Sequence, residues 1–165
     1  MGASLRQVAI TNLEKEPSMN VTIRSALVED SASIGHLITE LAKNIGETSP
    51  ITAECAVQYL KTPGSFILLA EKDRQVVGLI SYSIRPNLYH AGDSCLIEEF
   101  VVRQSERGQG IGGRLLEALF RQLAIRNCIE VSVTTMLDNL KAIAFYKSHG
   151  MLDEAIFLEK HLERG

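Results

Sequence analysis

Arg107, Gly108, Gln109, Gly110, Ile111, Gly112 and Gly113 form a glycine-rich run whose types and spacing suit an anion. Glycine lets a backbone close on a phosphate without a Cβ in the way. The N–H groups of a helix start point outward, with about half a positive charge behind them. Arg107 adds a charge-assisted donor for the same phosphate. The spacing is not Gly-x-x-x-x-Gly-Lys-Ser/Thr, so a nucleoside-triphosphate P-loop is not indicated. The run also lies far from the first strand, where a dinucleotide fingerprint would stand. On either side are groups able to move protons. Glu98 and Glu99 precede the cradle, and Tyr146 follows it, seven residues beyond Asn139. A carboxylate can accept a proton, and a phenol that stays protonated at neutral pH can donate one.

These residues need elements to hold them. The β-branched and apolar run around Phe100, Val101 and Val102 reads as the end of a strand over 95–103. An amphipathic stretch over 114–126 reads as the helix that follows the cradle. Alternation along the strand sends Glu98 and Glu99 to opposite faces. Upstream, 21–24 alternates like a first strand. Ile34, Leu37, Ile38 and Leu41 mark one face of a helix over 30–43. Thr52 is placed to cap a short helix reaching Leu60, which Thr62-Pro63-Gly64 ends. Strands over 66–70 and 76–85 meet in a hairpin across 73–75, and 86–92 reads as a loop. Residues 130–136 form a further strand, a helix opens at Asn139, and 155–162 returns as a last strand. The order is β-α-α-β-β-β-α-β-α-β, an α/β fold with a mixed sheet and helices on both faces. Residues 1–19 read as a flexible extension, and 20–165 as one domain.

The cradle, Arg-x-x-Gly-x-Gly after a strand ending in Val-Val, resembles the acetyl-coenzyme A loop of the GCN5-related N-acetyltransferases. The downstream segment Asn139-Leu140-Lys141-Ala142-Ile143-Ala144-Phe145-Tyr146-Lys147-Ser148-His149-Gly150 resembles the same family's second cofactor segment. The resemblance covers roughly residues 20–162. It implies acetyl-CoA as co-substrate, held by the cradle and by the backbone of Phe100, Val101 and Val102, which would pair with the pantetheine amides like an added strand. It also implies that Asn139 touches the pantetheine arm or caps its helix, and that Tyr146 lines the groove and protonates the departing thiolate. An acid at the Glu98 position is proposed as general base in small members such as the spermidine/spermine acetyltransferases. A base is useful because an amine of pKa near 10.4 is neutral in only about one molecule per thousand at pH 7.4. Direct transfer in a ternary complex is expected, with a primary amine as acceptor. A polyamine or amino-acid-like small molecule is favoured over a protein N-terminus or lysine. Glu47, Asp93, Glu98 and Glu99 near the acceptor-side segments would favour a cation. Catalytically silent acyl-CoA binding and nucleotide binding on the same cradle are the alternatives.

Composition agrees with an enzyme of one core. The 165 residues are 45% hydrophobic and 22% charged, with a net charge of −3, and a domain of this size buries about 70% of its unfolded surface. Acidity argues against a nucleic-acid partner. No apolar run approaches the ~20 residues needed to span a bilayer, and the N-terminus lacks a signal-peptide core, so the cytoplasm is expected. Cys55, Cys95 and Cys128 suit reduced thiols, and nothing has metal spacing. His36, His90, His149 and His161 have no evident catalytic partner, and homodimerisation stays open.

Overall fold

A computed structural model describes residues 20–162; the extension read over 1–19 lies outside the described residues. The chain runs β1 (Val21–Ser25), α1 (Ser31–Asn44), α2 (Ala53–Lys61), β2 (Ser65–Lys72), β3 (Gln75–Asn87), β4 (Gly92–Val102), α3 (Ile111–Ile125), β5 (Glu130–Val133) and α4 (Leu140–Ser148). The strands form one sheet in chain order. The first three pairings are antiparallel, and β5 joins β4 in parallel. The sheet is therefore mixed, as expected.

Period-2 alternation in the strands feeds two cores. On one face Leu68, Ile80, Tyr82 and Ile97 pack under Leu115, Leu116 and Leu119 of α3. On the other, Ile67, Leu69, Leu79 and Val101 pack under Ile34 and Leu37 of α1 and Ala56 of α2. The caps follow the local chemistry. The Thr52 hydroxyl accepts from Cys55 N at the start of α2, and the Asn139 side chain accepts from Ala142 N at the start of α4. Asp73 and Arg74 both take positive φ, which closes β2 and β3 in a tight hairpin.

Three expectations change. Residues 86–92 are not one loop: β3 runs through Pro86 to Asn87, and β4 starts at Gly92. The pairing of Pro86 with Asp93 lies near the end of the hairpin, where a missing N–H does little harm. The strand expected over 130–136 stops at Val133, where its pairing with β4 ends. The last strand, expected over 155–162, is not formed. Ile156, Phe157 and Leu158 are 89%, 65% and 87% exposed, and no ladder reaches them. Apolar, β-branched composition suits a strand, but a strand exists only where a neighbour supplies the hydrogen bonds.

Candidate active site

The parallel pairing of β4 with β5 extends only from Ser94 opposite Glu130 to Ile97 opposite Val133. Beyond that point β4 continues to Val102 with a partner on its β3 side alone. The sheet opens there into a slot. Arg103 N donates to Val77 O of β3 at 2.8 Å. Alternation then turns the backbone groups of Val101 toward β3, and those of Phe100 and Val102 toward the slot. Arg107 Nε donates to Val102 O at 2.9 Å, so Arg107 ties the cradle to the end of β4.

The cradle itself has the conformation that glycine permits. Gly108 and Gly110 have φ of +78° and +74°, and a Cβ built on either would meet nothing within 4 Å. Arg114 N donates to Gly110 O at 3.1 Å. That bond opens the α3 ladder, so the N–H groups of Ile111, Gly112 and Gly113 lie beyond its end. Ile111 is buried and anchors this end of the helix in the core. Gln109 is a brace. Its side chain accepts from Lys72 Nζ at 2.9 Å, while Lys72 also holds Glu106 at 2.7 Å. Nothing in the sequence pairs Lys72 with this loop, because the contact crosses from β2.

Helix α4 closes the cradle's side. A Cβ on Gly112 would stand 3.5 Å from the Phe145 ring and 3.7 Å from that of Phe100. A Cβ on Gly113 would stand 3.2 Å from His149 Nε2, closer than a side chain normally approaches. These two glycines let α4 and β4 come near the helix start. The His149 ring is held by a 2.8 Å contact between Nδ1 and Phe145 O. His149 thus belongs to the cradle wall, which its place near a helix end did not reveal. Tyr146 packs beside Phe145 and Phe100, with ring centroids at 5.4 and 6.3 Å. Burial pushes its phenol up to about 12.

On the opposite face lie the carboxylates, and here alternation fails. Ser81 pairs with Glu99 but Tyr82 pairs with Ile97, so Glu98 is the extra residue of a β-bulge. Both glutamates therefore face the α1–α2 side, contrary to the expected opposition. Ser83 Oγ donates to Glu98 at 2.8 Å. The Ser81 hydroxyl donates to the Glu99 carboxylate and accepts from Glu99 N. Glu98 is exposed and Glu99 half-buried. Tyr59 of α2 sits against the pair. Burial first, then the charges of Glu99 and Glu98, push its phenol well above the ordinary range. Its hydroxyl is sealed from solvent without a hydrogen-bond partner among the described residues.

Other residues stay apart. His90 pairs with Glu130 at 3.1 Å. Cys95 is buried, and desolvation pushes its thiol up to about 12, so it is a core residue and not a nucleophile. A cleft of about 610 Å³ lies at the far end of α3, beside Tyr82, Gln122 and Arg126, away from the cradle. No group of side chains among the described residues could hold a metal ion.

The site is thus framed by a five-stranded mixed sheet that opens between β4 and β5 beyond Ile97 and by the glycine-rich helix start that follows β4. The chain belongs to the acetyltransferase (GNAT) family, whose model matches residues 34–151. A curated relative, the aminoalkylphosphonate N-acetyltransferase of Salmonella typhimurium (strain LT2), is 31% identical over 128 residues, covering 78% of this chain and 82% of its own. The fold is shared with an aminoglycoside acetyltransferase from an uncultured soil metagenomic sample (TM-score 0.75, 19% identity, 88% and 97% of the two chains). It is shared also with a ribosomal-protein-alanine N-acetyltransferase from Brucella melitensis biovar Abortus 2308 (TM-score 0.72, 16% identity, 88% and 99%). The protein is a GNAT-type acetyltransferase, a family that uses acetyl-CoA as co-substrate.

Proposed function

We propose that the protein transfers an acetyl group from acetyl-CoA to a small primary amine by direct attack in a ternary complex. The observation that carries this reading is the slot beyond Ile97, which connects the cradle and Tyr146 on one face with Glu98 on the other. When bound, acetyl-CoA supplies an activated thioester. The residues present fit it. Gly108 and Gly110 keep the loop clear of Cβ atoms, and the N–H groups of Ile111, Gly112 and Gly113 with the Arg107 guanidinium would hold the diphosphate. Phe100 and Val102 offer backbone groups to the pantetheine amides, whereas the polar groups of Val101 serve β3. Asn139 uses its oxygen as a cap, which leaves its amide N–H₂ for the same arm.

Glu98 is the base in this reading. Its carboxylate is exposed and oriented by Ser83, so it can accept the ammonium proton directly or through water. The Phe100 N–H faces the slot and can polarise the carbonyl. Tyr146, raised to about 12, remains a proton donor throughout the neutral range and can return a proton to the leaving sulfur. A small acceptor is supported by the named activity of the Salmonella relative, whose aminoalkylphosphonates carry an amine and an oxyanion in one compact molecule. Thiol release from acetyl-CoA with pooled amines, diamines and amino acids tests the proposal. Acetylation of small amines is the expected result. Acetylation of peptides alone would move the acceptor to proteins, and CoA binding without any turnover would make the domain a silent sensor.

A further inference from the structure

The α1–α2 face of the sheet carries a charge that the acetyl-transfer reading has not used. On β3, Ser81, Ser83 and Arg85 alternate on the face to which the bulge brings Glu99 and Glu98. Ser81 engages Glu99 and Ser83 engages Glu98, so the first two positions of this row serve the carboxylates. Arg85 is the third. It is opposite Ser94, which is in turn opposite Glu130 on β5. Glu130 would be the neighbouring counter-ion, but it pairs with His90 at 3.1 Å. Among the described residues the Arg85 guanidinium makes no hydrogen bond or ion pair, and the residue is exposed. A strand rises about 3.4 Å per residue, so the backbone of Arg85 stands about 7 Å beyond that of Ser83. The face thus presents two carboxylates and, one same-face step along, a guanidinium with its donors free.

Resting on the acetyltransferase reading above, we propose that Arg85 binds the acidic group of a zwitterionic acceptor whose amine lies at Glu98 and Glu99. The guanidinium fork matches a phosphonate or carboxylate oxyanion in two parallel hydrogen bonds. A short chain of a few atoms between amine and acid spans the step between Ser83 and Arg85. A diamine places its second cation against Arg85 and is repelled. Arg85 therefore sets acceptor specificity, and the carboxylates alone, which would favour any cation, do not.

The test uses the full chain, acetyl-CoA and three acceptors of matched length: an ω-aminoalkylphosphonate, the ω-amino acid and the α,ω-diamine. The native protein is expected to acetylate an acidic acceptor in preference to the diamine, and the phosphonate and carboxylate arms distinguish the two oxyanions. Arg85→Ala should raise KM for the preferred acid by about 10- to 100-fold, the range of a charged hydrogen bond, with kcat within a few-fold and unchanged stabilisation by CoA. Arg85→Glu should reverse the preference toward the diamine. Acetylation of the acid with the same KM in Arg85→Ala, or a native preference for the diamine, overturns the assignment of Arg85 while leaving the acetyltransferase intact. No thiol release with any amine overturns both readings.

Discussion

Strand β4 serves two faces that are built by different means. On the α3–α4 face, the working parts lie in short stretches of chain: the glycines at 108, 110, 112 and 113, the α3 start they open, and the Phe145–Tyr146 pair. On the α1–α2 face, the parts come from three elements, with Tyr59 on α2, Ser81, Ser83 and Arg85 on β3, and Glu98 and Glu99 on β4. A single extra residue in one ladder decides which of them meet. The proposed cofactor binding is thus concentrated where local backbone chemistry is sufficient. The proposed acceptor recognition lies where pairing between strands governs, and there one insertion would change the substrate without disturbing the cradle. The difference predicts separable defects.

The largest effect is expected at the cradle. Gly110→Val places a β-branched residue at φ +74° and a side chain in the space proposed for the diphosphate. Coenzyme A at 100 times its dissociation constant should stabilise the native protein by about 2.7 kcal/mol. Thermal melts should show that gain abolished in the variant. The Glu98 and Glu99 variants should retain it in full, and its loss in them would break the separation of faces.

Tyr146→Phe should come next, with kcat lower by about 10²–10⁴-fold, as for a positioned acid, and CoA affinity within a few-fold. Steady-state kinetics beside a CoA titration separates the two. Unchanged turnover would assign the proton to water.

On the other face, Glu98→Gln should lower kcat by more than Glu99→Gln, because Glu98 is exposed at the bulge whereas Glu99 is half-buried and tied to Ser81. A comparison of the two kcat values identifies the base: its removal gives the larger loss. Equal losses would mean that the carboxylates act as one unit. Ser83→Ala, which removes only the 2.8 Å bond that orients Glu98, should cost less, about 0.5–1.5 kcal/mol in the barrier.

The smallest signal is in alkaline stability. Burial raises Tyr146 from the ordinary 10 to about 12, so the folded state holds its proton over a range where the unfolded chain has lost it. The unfolded state binds fewer protons in that window, and stability falls as pH rises from about 10 toward 12. Melting temperatures followed across the window should fall less steeply in Tyr146→Phe.

Several elements on both faces were legible for local reasons. Ile34, Leu37, Ile38 and Leu41 repeat at helical spacing, Thr52 and Asn139 are caps, and Gly108 and Gly110 take the positive φ that suits their lack of a Cβ. Hydrophobic period and backbone permission act over a few residues, so they can be read in a line of text. The proposed acceptor side was legible only as a set of acids. Strict alternation separated Glu98 from Glu99, and nothing in Ile97-Glu98-Glu99-Phe100 announces which residue the ladder will skip. Lys72 reaching Gln109, and His149 lying against Gly113, join residues distant in sequence and had no signal of their own.

What the sequence determined by itself was the family, the order of elements up to α4 and the backbone chemistry of the cradle. Each rests on glycine, caps and periodicity within one segment. The tertiary structure alone decided that the sheet opens beyond Ile97, that both glutamates share a face with Arg85, and that residues 155–162 lie outside the ladder. Those outcomes depend on register, and register is a property of two strands together: each hydrogen bond is placed by a partner that neither strand specifies alone.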